Sequence, residues 1–185
     1  MTNTLVINLF GGPGCGKSTT MAKLFSDLKT RGYNVEMVSE FAKDLVYEQR
    51  QETMKDELYI FAKQHHRLFR VYDKVDIVVT DRPLLLTNIY AELYLPDDDF
   101  KRDLKRLVRT TFDNFNNLNI VLNREGIEYK TEGRLQYLEQ SKEIDDLTLK
   151  ELLMARQSYR MRHTNNYEGI LDTVLSYLNM MSYEE

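Results

Sequence analysis

The sequence predicts an α/β fold in three layers, with a five-stranded parallel sheet flanked by helices. Three observations predict it. Short, apolar, β-branched runs alternate with amphipathic segments along the chain, the pattern of successive βαβ units with parallel strands and right-handed crossovers. A glycine-rich stretch, Gly11-Gly12-Pro13-Gly14-Cys15-Gly16-Lys17-Ser18-Thr19, stands between the first such run and the first amphipathic segment. The third run ends in a carboxylate, Asp81. The 185 residues suffice for one domain that buries about 70% of its unfolded surface. With no internal repeat and no low-complexity linker, residues 1–185 read as a single domain.

Thr4 to Phe10 (TLVINLF) is the first strand, apolar enough for the centre of a sheet. The stretch that follows reads G-x-x-x-x-G-K-S, the signature of a phosphate-binding loop. Glycine leaves room for backbone N–H groups to point inward at phosphate oxygens. The helix that starts at Lys17 adds its N-terminal partial charge. Lys17 is positioned by this pattern to reach the β- and γ-phosphates, and the Ser18 hydroxyl to ligate Mg²⁺. Cys15 is read first as a small loop residue, with redox sensitivity as a secondary expectation because a thiol at a helix N-terminus has a lowered pKa.

The first helix covers Lys17 to Arg31, with Met21, Leu24, Phe25 and Leu28 at helical spacing and Gly32 placed to end it. Tyr33 to Val38 is the second strand. Glu40 follows it, at the carboxyl end of a parallel strand where ligands of such sheets bind. A helix is expected over Phe41 to Tyr47, a polar break over Gln49 to Lys55, and a longer helix from about Asp56 to Tyr72. Its predicted inner face is Leu58, Phe61, Ala62, His65, Leu68 and Phe69. His65 and His66 point about 100° apart and have no partner at metal-ligand spacing, so they are read as one packed and one solvated histidine.

Val75 to Thr80 is the third strand, closed by Asp81-Arg82-Pro83. Asp81 is the carboxylate that a phosphate loop needs to hold Mg²⁺. Arg82 is a candidate substrate contact, and Pro83 stops the strand because it cannot donate to a ladder. A helix is expected from Leu85 to Leu95. Pro96-Asp97-Asp98-Asp99 then starts the next, from Asp98 to about Asn114, which is expected to carry Phe100, Leu104, Leu107, Val108, Thr111 and Phe112 inward and whose basic side (Lys101, Arg102, Lys105, Arg106, Arg109) reads as a solvated face. Leu118 to Asn123 is the fourth strand. After it a polar stretch carrying Arg124 and Arg134, about residues 124–136, suits a lid. Helix resumes near Leu135 and runs to about Gln157. Ser158 to His163 alternates as a fifth strand, Thr164-Asn165-Asn166 is a loop and cap, and the last helix runs from about Tyr167 to Met180.

Composition narrows the function classes. A net charge of −4 argues against dedicated nucleic-acid binding, which shows a basic face. No apolar run approaches a membrane span, so no membrane association is expected. The single cysteine and the lack of a secretory segment lead to an expected cytoplasmic location. Oligomeric state stays open, and a homo-oligomer is compatible with the sequence.

Taken together, GGPGCGKSTT, SEFAKDLVYE, LYIFAKQHHRL, VVTDRPLLL and NIVLNREGIEYKTEGRLQ resemble the P-loop kinases of nucleosides and nucleotides. Over nearly the whole chain the resemblance is greatest to the ribosylnicotinamide kinase domain of NadR-type proteins and to small, often phage-borne relatives known as AAA-type ATPases. For a phage-borne chain the expected cytoplasm is that of the host. The resemblance implies a P-loop kinase fold with an arginine-bearing lid. It implies ATP on Gly11 to Thr19, Mg²⁺ at Ser18 and Asp81, and an acceptor near Glu40. It further implies Arg124 and Arg134 on the transferring phosphoryl, and the loop bearing Asn165 near adenine.

The acceptor follows from charge. A nucleoside offers a neutral hydroxyl, which benefits from a carboxylate that takes its proton. A monophosphate is repelled by an unpaired carboxylate and needs cations. Glu40 favours a nucleoside-type acceptor, while Arg82 and Lys43 leave room for a monophosphate. A reading of another class is an NTP-dependent switch or ATPase acting on a protein partner. No Asn-Lys-x-Asp or Leu-Ser-Gly-Gly-Gln stretch supports it.

Overall fold

The computed structural model describes residues 4–124 and 138–182. Its elements run β1 (Leu5–Phe10), α1 (Lys17–Thr30), β2 (Val35–Val38), α2 (Ala42–Tyr47), a 3₁₀ turn (Thr53–Lys55), α3 (Glu57–Phe69), β3 (Ile77–Thr80), α4 (Leu86–Tyr94), α5 (Asp99–Phe112), β4 (Asn116–Asn123), α6 (Leu138–Met154), β5 (Arg160–His163) and α7 (Tyr167–Ser182). Arg134 and all of the expected lid except Arg124 lie outside the described residues.

The five strands form one sheet in the order β2-β3-β1-β4-β5, and every pair is parallel. β1 is central and buried on both faces, which is why its six residues read as a continuous apolar run. Val6 and Phe10 face one core, with Phe61, Leu85, Ile89, Val108 and Phe112. Leu5, Ile7 and Leu9 face the other, with Leu24 and Leu28 of α1 and Val174 of α7. The parallel arrangement brings the carboxyl ends of β1, β2 and β3 to one side of the sheet. β1 is where the strand order reverses, and open α/β sheets bind their ligands at such a point.

The helix ends follow their sequence signals. Gly32 takes φ +93° after α1, and Tyr33 N–H closes back to the Leu28 carbonyl at 3.2 Å. Asp56 caps α3 by accepting from Tyr59 N–H, and Asp98 caps α5 by accepting from Lys101 N–H. The acidic run before α5 is therefore a cap.

Two helix faces differ from expectation. α3 buries Glu57, Ile60, Phe61, Gln64 and Leu68 and exposes Leu58, Ala62 and Phe69. Its inner stripe is rotated because the polar Glu57 and Gln64 find polar surroundings at the carboxyl ends of the strands. His65 packs half-buried against Phe61 and Phe115, and burial holds its pKa below the ordinary histidine value. In α5 the basic side is not simply solvated. Lys101 is buried against Glu92 and Asp97, and Arg109 makes a two-pronged ion pair with the buried Glu151 of α6. Phe100 and Leu107, expected inside, are exposed. No helix among the described residues is long and apolar enough to cross a membrane.

Candidate functional site

The loop after β1 has the bare backbone that its glycines predict. Gly11 and Gly16 take φ of 137° and 87°. A Cβ there would stand 2.6 Å from Cys15 Sγ and 2.5 Å from Thr164 Cγ2, so any larger residue would be strained and would collide. Cys15 is wholly buried and packs into the core beneath the loop. Lys17 opens α1, and its ammonium donates to the carbonyls of Gly11 at 2.7 Å and Gly12 at 3.0 Å. It folds back over the loop on which a phosphate would sit. Ser18 and Thr19 are exposed at the start of the helix.

Asp81 joins this loop to the rest of the site. It is buried at the end of β3, where its Oδ2 accepts from Ser18 Oγ at 2.5 Å and its Oδ1 accepts from the backbone N–H of Glu40 at 3.1 Å. One carboxylate thus connects the carboxyl ends of β1, β2 and β3. Ser18 Oγ and the Asp81 carboxylate are hard oxygen donors side by side and fit Mg²⁺, which keeps most of its shell for water and phosphate. Among the described residues no three His, Cys, Asp or Glu gather round one point.

Glu40 carries its side chain about 30% exposed, with Oε1 3.4 Å from Arg82 Nη1. Arg82 is almost wholly buried, and its guanidinium lies 4.3 Å over the ring of Tyr90, a cation–π contact strengthened by desolvation. Burial alone would lower the Arg82 pKa, but Glu40, Tyr90 and Glu57 together outweigh it and hold the value above the ordinary one. Burial also pushes the Tyr90 hydroxyl well above the usual tyrosine range, with Arg82 opposing. Arg82 is thus fixed among its own partners instead of standing free at the surface.

Gln64 and Arg67 sit behind Glu40. Gln64 accepts from Phe41 N–H at 2.9 Å and donates to the Ser39 carbonyl at 3.3 Å. Arg67 pairs with Asp44 and reaches the Ser39 carbonyl. Both hold the chain that carries Glu40. Lys43 is exposed on α2.

Arg124, expected on the transferring phosphoryl, is fully engaged with neighbouring groups in this structure. Its Nε and Nη2 donate to Asp145 at 2.8 and 3.0 Å, and its Nη1 donates to the Pro13 carbonyl at 2.8 Å. Asp145 also accepts from Gly12 N–H at 2.6 Å, and Ser141 Oγ donates to the Pro13 carbonyl at 2.5 Å. These contacts fasten α6 to the glycine-rich loop, with Arg124 between them. Asn165 is exposed on the loop after β5, its N–H 3.2 Å from His163 Nδ1. The preceding Thr164 donates to the Cys15 carbonyl at 2.8 Å, which ties that loop to the phosphate loop. Two clefts, of about 350 Å³ beside α5 and about 450 Å³ along β5 and α7, lie away from this assembly.

Sequence reasoning missed Glu57, Tyr90, Ser141 and Asp145. Glu57 had a legible signal, since Glu57, Ile60, Phe61, Gln64 and Leu68 follow i, i+3, i+4, i+7 and i+11. Asp145 had none, because its partner Gly12 is 133 positions away.

Comparison with known proteins adds the family. A family model described as "AAA domain" matches residues 6–168. No curated protein matches the chain. Among solved structures, a NadR protein in complex with NR superposes with a TM-score of 0.74 at 22% identity, over 95% of this chain and 52% of that one. A NadR protein in complex with NAD and AMP-PNP gives 0.68 at 19% identity, over 95% and 49%. The chain spans about half the length of these structures, and at such identity the likeness is one of fold.

Proposed function

The chain belongs to the AAA-domain family, with a P-loop NTPase fold, and from that premise we propose that it is an ATP-dependent kinase of small molecules. It transfers the γ-phosphoryl of ATP–Mg to a nucleoside-type acceptor, ribosylnicotinamide or a ribo- or deoxyribonucleoside. One observation carries the reading: Ser18, Asp81 and Glu40 form a single hydrogen-bonded chain. A residue of the phosphate loop, a metal-type carboxylate and the backbone that carries a second, partly exposed carboxylate are thereby held together. The NadR structures in complex with NR and with AMP-PNP support the substrate classes.

In this reading the triphosphate lies on Gly11 to Thr19, with Asn165 beside the adenine. Lys17 leaves the Gly11 and Gly12 carbonyls for phosphate oxygens, which as anions are the stronger acceptors. Ser18 and Asp81 hold Mg²⁺. When bound, Mg²⁺ supplies neutralisation of the charge on the β- and γ-phosphates. Glu40 takes the proton of the acceptor hydroxyl as that oxygen bonds to the γ-phosphorus and the bond to the β-phosphate oxygen breaks, releasing ADP. Arg82 is already engaged by Glu40 and stacked on Tyr90, which favours a nucleoside over a monophosphate. Arg134 keeps the phosphoryl-stabilising role that the resemblance gives it, and Arg124 positions the loop.

The test is transfer from labelled ATP across nucleosides, ribosylnicotinamide and monophosphates, alongside ATP hydrolysis with no acceptor. The expected outcome is transfer to a nucleoside with little hydrolysis in its absence, and a fall of about 10²–10⁴-fold in kcat for Glu40→Gln. Hydrolysis that is independent of acceptor, or full turnover by Glu40→Gln, overturns the proposal.

A further inference from the structure

Glu40 stands on loop backbone just past the end of β2. A carboxylate on such a segment is aimed only as well as the segment is held. One side chain of α3 holds both of its neighbours in the chain. Gln64 is 2% exposed. Its amide oxygen accepts from Phe41 N–H at 2.9 Å, and its amide nitrogen donates to the Ser39 carbonyl at 3.3 Å. The carbonyl before a residue and the N–H after it are the pair that a neighbouring parallel strand engages. The pairing of β2 with β3 ends at Val38, so beyond it the Gln64 amide does what a strand would have done. Among the side chains only Asn and Gln offer an amide donor and acceptor together.

The rest of α3 grips the same two residues. The Phe41 ring meets Tyr59 edge-on at 5.6 Å and lies under the Arg67 guanidinium at 5.2 Å. Arg67 Nη1 also reaches the Ser39 carbonyl at 3.3 Å. Glu40 N–H itself donates to Asp81. The backbone on either side of Glu40 is thus fixed, while the Glu40 side chain stays about 30% exposed.

We propose that Gln64 is a positioning residue for Glu40: by bridging Ser39 and Phe41 it sets the direction of the Glu40 carboxylate toward the acceptor hydroxyl. The inference rests on the kinase reading and adds a residue that governs turnover without touching either substrate. Gln64 presents almost no surface to a ligand, and both ends of its amide are committed to backbone. Its effect therefore passes through Glu40. A misplacement of about 1 Å at a reacting group can cost about 10²-fold in rate.

The experiment measures kcat, and KM for ATP and for the nucleoside that wild type phosphorylates, in Gln64→Met, Glu40→Gln and the double variant. Gln64→Glu is run beside them. Met keeps the length and loses both hydrogen bonds, while Glu keeps the acceptor for Phe41 N–H and loses the donor to Ser39. Gln64→Met should lower kcat about 10–100-fold and leave both KM values within about twofold. Gln64→Glu should fall between it and wild type. In the Glu40→Gln background Gln64→Met should cost nothing further, because a side chain that acts only through the base has nothing to aim once the base is gone. A residue that merely stabilises the fold would give independent, additive losses.

Additive losses in that cycle, full turnover by Gln64→Met, or a raised acceptor KM with kcat unchanged each overturn the inference. Should Gln64→Met not fold, the same cycle with Gln64→Glu decides, and additivity there overturns it alone. A wild type without acceptor-dependent transfer, or full turnover by Glu40→Gln, overturns the kinase reading itself. Wild-type transfer that needs Glu40 yet gives an additive cycle overturns only the role of Gln64, so the two failures are told apart.

Discussion

At the scale of the residue, the site depends on groups whose surroundings cost stability. Glu57 is the clearest. An ordinary glutamate titrates near 4.5, and this one is held near 7. Below pH 4.5 the carboxyl is protonated both folded and unfolded and has no effect on stability. Between 4.5 and 7 only the unfolded chain releases the proton, so unfolding becomes easier as pH rises. Above 7 the folded form is ionised too, and the full penalty, of the order of 3 kcal/mol, is present. Glu57→Gln removes that titration. Urea melts should find the variant close to wild type at pH 4.5 and more stable at pH 8, and an equal difference at both pH values would contradict the raised pKa. Lys17, Ser18 and Asp81 were legible in the sequence because their roles follow from residue type and local spacing. Glu57 carried a signal only in its spacing with Ile60, Phe61, Gln64 and Leu68, and the ordinary reading of an acid after a helix cap, as a surface residue favoured by the helix dipole, overrides it.

At the scale of the element, α6 braces the glycine-rich loop although its sequence shows no motif. A Cβ added to Gly12 would lie 2.3 Å from the Ser141 carbonyl and 2.7 Å from Arg124 Nη2. The helix therefore presses directly on the loop, and Asp145 joins the two through Gly12 N–H and Arg124. Asp145→Ala should free Arg124 and loosen the loop. The expected result is a KM for ATP raised about tenfold with the acceptor KM little changed, and a loss of about 1–3 kcal/mol in chemical denaturation. A loss of stability without any effect on ATP would make the clamp purely structural. The same scale explains the two misjudged helix faces. Apolar spacing predicted Leu58 and Phe69 of α3, and Phe100 and Leu107 of α5, as inward. The inner stripes instead include Glu57, Gln64 and Lys101. Gln64 and Lys101 are paired where their helices meet the strand ends or a charged neighbour, and such a polar group can be buried in place of an apolar one.

At the scale of the molecule, one sheet carries a core on each face, and its central strand belongs to both. We propose accordingly that the chain behaves as one domain. Calorimetry should give a single transition with equal calorimetric and van't Hoff enthalpies, and ATP–Mg at a hundred times its Kd should stabilise it by about 2.7 kcal/mol. Two resolved transitions would contradict this. The sequence by itself determined the α/β class, the order of strands and helices, the phosphate loop and the carboxylate after β3. Each of these is written in short-range periodicity or in a motif whose members are neighbours in the chain. Only the tertiary structure decided that Asp81 links Ser18 to Glu40, that Arg82 is buried between Glu40 and Tyr90, that Arg124 joins α6 to the glycine-rich loop, and that Glu57 is buried at the start of α3. Those partners lie tens of residues apart, and their meeting depends on the crossover order of the parallel sheet, which brings the strand ends together and which no local pattern encodes.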